Sequence, residues 1–331
     1  MTIVISLVVF GILVLFHEFG HFIVAKKAGV KIHEFAIGMG PKIYGFKGRE
    51  TEYTIRALPL GGYVRMEGED EESNDPRSFN NKSILQKISI LFAGPFMNFV
   101  LAILLFVGMF MYQGIPSTTI KNTIENFPAQ EIGIKSGDKI IKIDDIKTNT
   151  WDDIVKVINS SDSKSVNIQV LRDGKIFNYN VVPEKKDGRM MIGIQPKYEK
   201  NIILSLKYAV DQTVFLSNQI IIFLGKAITG NISFEQVTGP VGIISVVGQA
   251  AESGIVHLIF LAAAISINLG LFNLLPIPAL DGGRIIFLII ELIRGKKIDP
   301  EKEGKIHLIG FVALMILMIF ITYKDITRII K

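Results

Sequence analysis

The sequence predicts an α-helical polytopic membrane protein with about four transmembrane helices, a membrane-associated β-hairpin or sheet, and one inserted α+β domain. Three observations lead there. Runs near residues 2–24, 87–112, 257–280 and 306–323 are apolar over the roughly 20 residues that a helix needs to cross a bilayer. A mean hydropathy of +0.40, with 49% hydrophobic but still 20% charged residues, describes a membrane chain that also carries a water-facing part. Between the second and third runs, residues 114–197 show strand periodicity and turn residues in place of a span. The 331 residues are therefore expected to divide into a membrane half at 1–113, the insert at 114–197, an amphipathic membrane-associated linker at 198–255 and a second membrane half at 256–331.

Each element follows from a local pattern. Thr2 to Phe16 is almost wholly apolar, and its start has neither a basic n-region nor a small-residue cleavage site, so it reads as a retained span. Glu52–Leu58 and Tyr63–Glu67 alternate in part on either side of Pro59-Leu60-Gly61-Gly62, which predicts a β-hairpin turning at those residues. In the insert, Lys139–Asp144 suits a strand and Trp151–Asn159 a helix, while Val166–Arg172 and Lys175–Val181 flank the hairpin turn Asp173-Gly174. Farther on, Ile202, Ile203, Leu206, Ala209, Val210 and Thr213 make one helical stripe. Lys207, Asp211 and Gln212 interrupt it, so 201–230 is expected to be an interfacial amphipathic helix. Gly239-Pro240-Val241-Gly242 marks a break before Ile243–Ala251, and Pro276 and Pro278 break the third apolar run before a short helix at Ile285–Ile293.

Charge placement gives the topology. Lys26, Lys27 and Lys31 follow the first run, Lys82 and Lys87 precede the second, and Arg294, Lys296, Lys297, Lys302 and Lys305 lie between the third and fourth. The positive-inside rule puts these loops in the cytoplasm and the insert outside. The net charge of +5 is scattered, with no basic stripe or stacking motif, which argues against a nucleic-acid partner. With no cysteine, disulfides and thiolate metal sites are excluded. The acidic loop Asp70–Asp75 reads as solvated surface.

Chemistry enters where the first run meets His17-Glu18-Phe19-Gly20-His21. Residues four apart lie about 40° apart around a helix, so His17 and His21 share a face and can reach one metal ion, with Glu18 beside them. A charged group at membrane depth costs about 2.5–3.5 kcal/mol on insertion scales, and groups that bear this cost are retained for function. Catalytic zinc takes three protein ligands and keeps a position for water, so a third ligand is expected from a distant part of the chain. Asp281 stands between the proline-broken stretch and Gly282-Gly283, at a depth where irregular backbone is tolerated if it lines a wet cavity. Its other possible role is to cap the helix at 285–293. A divalent ion offset by Asp281 and Glu18 comes close to neutrality, which favours the metal. His33, His257 and His307 lack partners four residues on and read as interface or packing histidines.

His17–His21, Gly38-Met39-Gly40-Pro41, the central insert and Asn273-Leu274-Leu275-Pro276-Ile277-Pro278-Ala279-Leu280-Asp281-Gly282-Gly283 give the whole chain a resemblance to the bacterial site-2 proteases. These are intramembrane zinc metalloproteases, and the chain looks most like the regulator-of-sigma-E protease type. The resemblance implies Zn2+ held by His17, His21 and Asp281, with Glu18 as general base. It also implies Asn268 and Asn273 as membrane-buried amides that hold substrate backbone, with helix-to-helix hydrogen bonding as their alternative. Ile132–Ile140 resembles a PDZ signature, so the insert is expected to be a single PDZ-like domain, acting as a gate or as a spacer. The sheet between the first two spans is expected to offer an edge to an extended substrate.

The implied activity is endopeptidase cleavage within transmembrane segments of single-span membrane proteins, such as anti-sigma factors or remnant signal peptides. The implied place is the bacterial cytoplasmic membrane, embedded in lipid, with the active site toward the cytoplasmic side. Arg284 departs from the pattern, standing where many relatives place His. Two other classes compete: a non-catalytic PDZ-bearing membrane adaptor, and a transporter, against which the lack of an inverted repeat counts.

Overall fold

The computed structural model describes residues 1–69, 73–186, 188–230 and 238–330, so 70–72 of the acidic loop lie outside the described residues. In chain order the helices are α1 (Thr2–Lys27), α2 (Ile84–Gln113), α3 (Pro128–Glu131), α4 (Trp151–Asn159), α5 (Ile202–Ile228), α6 (Pro240–Glu252), α7 (Ile255–Asn273), α8 (Asp281–Arg294) and α9 (Pro300–Ile330). The strands are β1 (Ile32–Lys47), β2 (Glu52–Met66), β3 (Ile115–Thr123), β4 (Lys139–Ile143), β5 (Ile146–Lys147), β6 (Val166–Arg172), β7 (Lys175–Val181), β8 (Glu184–Lys186), β9 (Arg189–Met191) and β10 (Ile194–Glu199). They form two compact units, residues 1–109 with 206–331, and residues 110–205.

In the larger unit, four helices among the described residues are long and apolar enough to cross a membrane: Thr2–Lys27, Ile84–Gln113, Ile255–Asn273 and Glu301–Arg328. The third stops short of the 257–280 run because Pro276 and Pro278 cannot continue a helix, and residues 274–280 are non-helical. The next helix begins at Asp281, earlier than the expected 285. Leu280 occupies the N-cap and Asp281 the first helical position, so the capping role weighed for Asp281 is not the one it takes. Residues 202–228 form one unbroken helix that is not among the four span candidates.

The sheet between the first two spans corrects the expected hairpin. Its turn lies at Gly48–Thr51, where the Gly48 N–H donates to the Thr51 carbonyl, and residues 52–66 form one strand through Pro59-Leu60-Gly61-Gly62. The bend predicted there is real but is absorbed inside the strand. Gly61 adopts φ +92°, facing Gly38 and Gly40 at φ +87° and +83° in the partner strand, values that glycine reaches at no steric cost. Folding back in this way pairs Glu34, Phe35, Ala36 and Ile37 twice, with Arg65 to Gly62 on one side and Glu52 to Ile55 on the other. Beneath the sheet, Phe22, Phe35, Val64, Met66, Ile90 and Leu91 join α1, the sheet and α2 in one buried cluster. The bent half leaves Ile43, Tyr44, Phe46 and Leu58 exposed, an apolar patch suited to lipid contact.

The smaller unit is an antiparallel sheet in the order β10-β3-β4-β6-β7, with β5 beside β4. β6 and β7 pair in register from Val166–Val181 to Arg172–Lys175, closing at Asp173-Gly174 as the sequence indicates. The helix α4 opens on a capping box between Thr150 and Asp153 and packs Ile154 and Ile158 into a core with Ile140, Ile143, Ile168 and Val170. Asp138, fully buried, accepts from Arg172 at 2.6 Å through each carboxylate oxygen and from the Lys135 N–H at 2.9 Å.

Candidate metal centre

Continuous helix from Thr2 to Lys27 places His17 and His21 on one buried face, 8% and 7% exposed. The 4.9 Å between their ring centroids leaves both Nε2 atoms pointing at a common spot, 3.2 Å from each other. Asp281 arrives from the first turn of α8, its Oδ2 at 3.2 Å from His17 Nε2 and 3.5 Å from His21 Nε2. Among the described residues these three form a group able to hold a metal ion. A tetrahedral ion bound at about 2.0–2.1 Å sets neighbouring ligand atoms roughly 3.4 Å apart, which is the spacing found.

The hydrogen bonding supports the fit. The His21 Nδ1 lies 2.9 Å from the Ile90 carbonyl, which can only accept, so that nitrogen carries the proton and Nε2 keeps a lone pair. Asp281 Oδ2 is buried with no hydrogen-bond partner. Lone pairs converging in a buried place repel one another unless a cation lies among them. The donor set therefore suits zinc, with two imidazoles and one carboxylate.

Close backbone approach makes this geometry possible. A Cβ on Gly94 of α2 would stand 2.5 Å from the Cε1 and 2.8 Å from the Cδ2 of His21, and closer still to Nε2. At Gly20 it would meet the Ala93 main chain, with the carbonyl carbon at 2.6 Å. Gly282 and Gly283 play the same part for Asp281: side chains there would strike the main chain of Leu274, Leu275 and Ile277. Both glycines lie within a helix and permit its first turn to pack on the preceding loop.

A cleft of about 380 Å³ opens on the triad, lined by His17, Glu18, His21, Tyr63, Val64, Arg65, Met66, Glu69, Leu91 and Asp281. Glu18 faces the same space as the three candidate ligands. Strand residues 62–66 run along its wall, and Gly62 lies close enough that a Cβ would come within 3.2 Å of Glu18 Cγ. The wall is stiffened from behind by Glu34, which accepts from Thr54 at 2.6 Å, Arg56 at 2.7 Å and the Tyr63 hydroxyl at 2.8 Å. Burial raises the Glu34 pKa, but these hydrogen bonds and the Arg56 charge outweigh it and hold the carboxyl below its ordinary value. At the rim, Arg284 of α8 pairs with Glu69 at 2.5 Å.

Asn268 and Asn273 do not line this cleft. Asn268 is exposed on α7, and the Asn273 amide donates to the Leu269 carbonyl one turn back at 2.9 Å. A different amide reaches the triad: Asn98 of α2, fully buried, with Nδ2 at 3.1 Å from His17 Nδ1. Asn98 is absent from the residues that the family resemblance implies, which is where Asn268 and Asn273 come from; its one sequence signal is a polar amide inside the apolar run at 87–112. His307, expected to pack, also takes a specific part, its Nδ1 accepting from the Ala279 N–H at 2.8 Å.

Three side chains able to hold a metal ion, set among helices of membrane-spanning character with a further carboxylate in the same cleft, point to the class of membrane metallopeptidases. The chain belongs to peptidase family M50, whose sequence profile matches residues 5–317. A Clostridium acetobutylicum protein with a provisional zinc-metalloprotease name is 46% identical over 98% of this chain and 97% of its own length. The regulator of sigma-W protease RasP of Bacillus subtilis is 35% identical over 99% of this chain and 98% of its own. The PDZ domain of an SdrC-like protein from Listeria monocytogenes aligns at 23% identity and a TM-score of 0.21, covering 25% of this chain and 86% of that one. The protein is a zinc metalloendopeptidase of a bacterial membrane.

Proposed function

We propose that this chain cleaves peptide bonds within the transmembrane segments of single-span membrane proteins, using His17, His21 and Asp281 as zinc ligands and Glu18 as general base. The observation that carries the reading is the meeting of three lone-pair atoms at 3.2–3.5 Å, contributed by helices at opposite ends of the sequence. Zinc bound there supplies a Lewis acid that lowers the pKa of a bound water to about 7 and polarises a carbonyl. Glu18 accepts the proton of the attacking water and returns it to the leaving amine.

The strand 62–66 is the proposed docking edge. It pairs with residues 32–37 on one side and borders the cleft on the other, so an extended peptide can add there and satisfy its backbone beside the triad. Extension is required, because a peptide bond held in a helical hydrogen-bond ladder is closed to attack. Contacts proposed for Asn268 and Asn273 fall outside this cleft, away from the scissile bond. The lysine-rich loops favour a cytoplasmic-side active site with the insert outside, in the bacterial cytoplasmic membrane. The Bacillus relative's name, regulator of sigma-W protease, supports anti-sigma factors as substrates; remnant signal peptides are a second group that rests on the family resemblance alone.

The test is Glu18→Gln. Zinc stays bound at one equivalent while cleavage of a reporter transmembrane segment falls by about 10²–10⁴-fold. Normal turnover by this variant rejects Glu18 as the base, whereas wild type that cleaves no reporter while Glu18→Gln keeps full biological function favours the adaptor.

A further inference from the structure

We infer that Asn98 is the positioning residue that fixes the tautomer of His17, its amide oxygen accepting the Nδ1–H so that Nε2 offers its lone pair to the metal. The inference rests on the reading of His17, His21 and Asp281 as zinc ligands. His17 meets the other two through Nε2, at 3.2 Å from both His21 Nε2 and Asp281 Oδ2. A neutral imidazole that ligates through Nε2 must keep its proton on Nδ1. His21 satisfies that proton on a main-chain carbonyl. His17 has the Asn98 side chain in that place.

As placed, the amide presents its nitrogen to Nδ1 and leaves Oδ1 buried with no partner. Two N–H donors cannot face each other. The two ends of an amide are alike in shape, so the hydrogen-bond chemistry decides, and it turns the group end for end. In either orientation one end of a fully buried amide goes unpaired, an expense that packing alone does not explain at a site a leucine would fill. The bond to His17 explains it. Asn98 is also held in register with α7, since the Ser266 hydroxyl donates to its main-chain carbonyl at 2.8 Å. Ligand histidines in general depend on such outer partners, whose loss lowers metal affinity about 10–100-fold.

The experiment measures zinc affinity of the full-length protein by competition with a chelator, and the visible spectrum after cobalt(II) replacement. Asn98→Leu weakens zinc 10–100-fold and distorts the cobalt bands. Asn98→Asp, which keeps an acceptor, restores both. Ser266→Ala, which removes the interhelical bond but leaves the amide, changes neither. Wild-type affinity in Asn98→Leu, or equal loss in the leucine and aspartate variants, overturns the inference. If Asn98→Leu does not fold, spectra of zinc-loaded wild type carrying nitrogen-15 histidine and carbon-13 asparagine decide: a coupling across the hydrogen bond from His17 Nδ1–H to the Asn98 side-chain carbonyl supports the assignment, and a bare Nδ1 or one without that coupling overturns it. Failure of wild type to bind zinc at all overturns the ligand set itself, a result distinct from the others.

Discussion

Replacing Gly94 with alanine separates metal geometry from helix stability, because the two respond with opposite sign. Gly94 lies inside α2, where alanine is worth about 1 kcal/mol more than glycine to an unconstrained helix. The added methyl, however, would sit 2.5 Å from His21 Cε1 and 2.8 Å from Cδ2. Ordinary contact needs roughly 3.5 Å, so the ring or the helix must retreat by about 1 Å. The ring has little room, pinned through Nδ1 to the Ile90 carbonyl, and zinc tolerates ligand errors of about 0.2 Å. A misplacement of about 1 Å costs on the order of 10²-fold in rate. Gly94→Ala should therefore lose about 100-fold in kcat/KM on a reporter substrate and bind zinc measurably less tightly in chelator competition. Unchanged zinc affinity with a raised Tm would show that the α1–α2 approach is looser than described and refute the argument.

Two further perturbations act away from the membrane. Burial works to raise the Asp138 pKa, but the Arg172 guanidinium prevails and holds the carboxyl below its ordinary value, so the pair stabilises the insert above that value and loses its effect as pH falls through the lowered one. Asp138→Ala should cost about 3 kcal/mol, read as faster amide exchange confined to 110–205; uniform exchange across the chain would count against it. Hydrogen bonds from Ser73 and His33, with the Lys31 charge, hold Glu67 at about 2 from an ordinary 4.5. Its contribution is complete above pH 4.5 and disappears as pH falls toward about 2, so the Tm deficit of Glu67→Gln should narrow across that window, and a deficit indifferent to pH would contradict the network.

How much of this was legible from sequence depended on whether the signal was local. The histidine pair announced itself because four residues make one helical turn, and Asp173-Gly174 because a two-residue turn fixes the register of its strands. Asp281 was legible through the prolines and glycines around it, though their purpose differed: Gly282 and Gly283 admit the carbonyls of the preceding loop to a helix. Pro59-Leu60-Gly61-Gly62 misled because a bend and a reversal use the same residues, and only pairing with distant Gly38 and Gly40 distinguishes them. Asn98 offered only the signal of a polar group in an apolar run, and the roles of both Asn98 and Gly94 were hidden for a related reason. What matters about each is a neighbour on α1, which no periodicity within α2 encodes.

That dependence on neighbours extends to the third ligand. Asp281 directly follows a loop in which Ala279 holds φ +78°, a conformation costing a non-glycine residue about 1–2 kcal/mol. Something must hold it there, and α9 does so at two adjacent turns. His307 accepts the Ala279 N–H, and Gly310 lets the helix meet Pro278 so closely that a Cβ would stand 2.5 Å from the proline oxygen. The same helix reaches α6 through Asp325, which accepts from the Gly242 N–H at 2.8 Å and the Gly239 N–H at 3.2 Å. α6 in turn packs on α1, the helix of the two histidines. The last span, which contributes no ligand, thus braces the carboxylate directly and the imidazoles at one remove, and both sides of the metal site share one support.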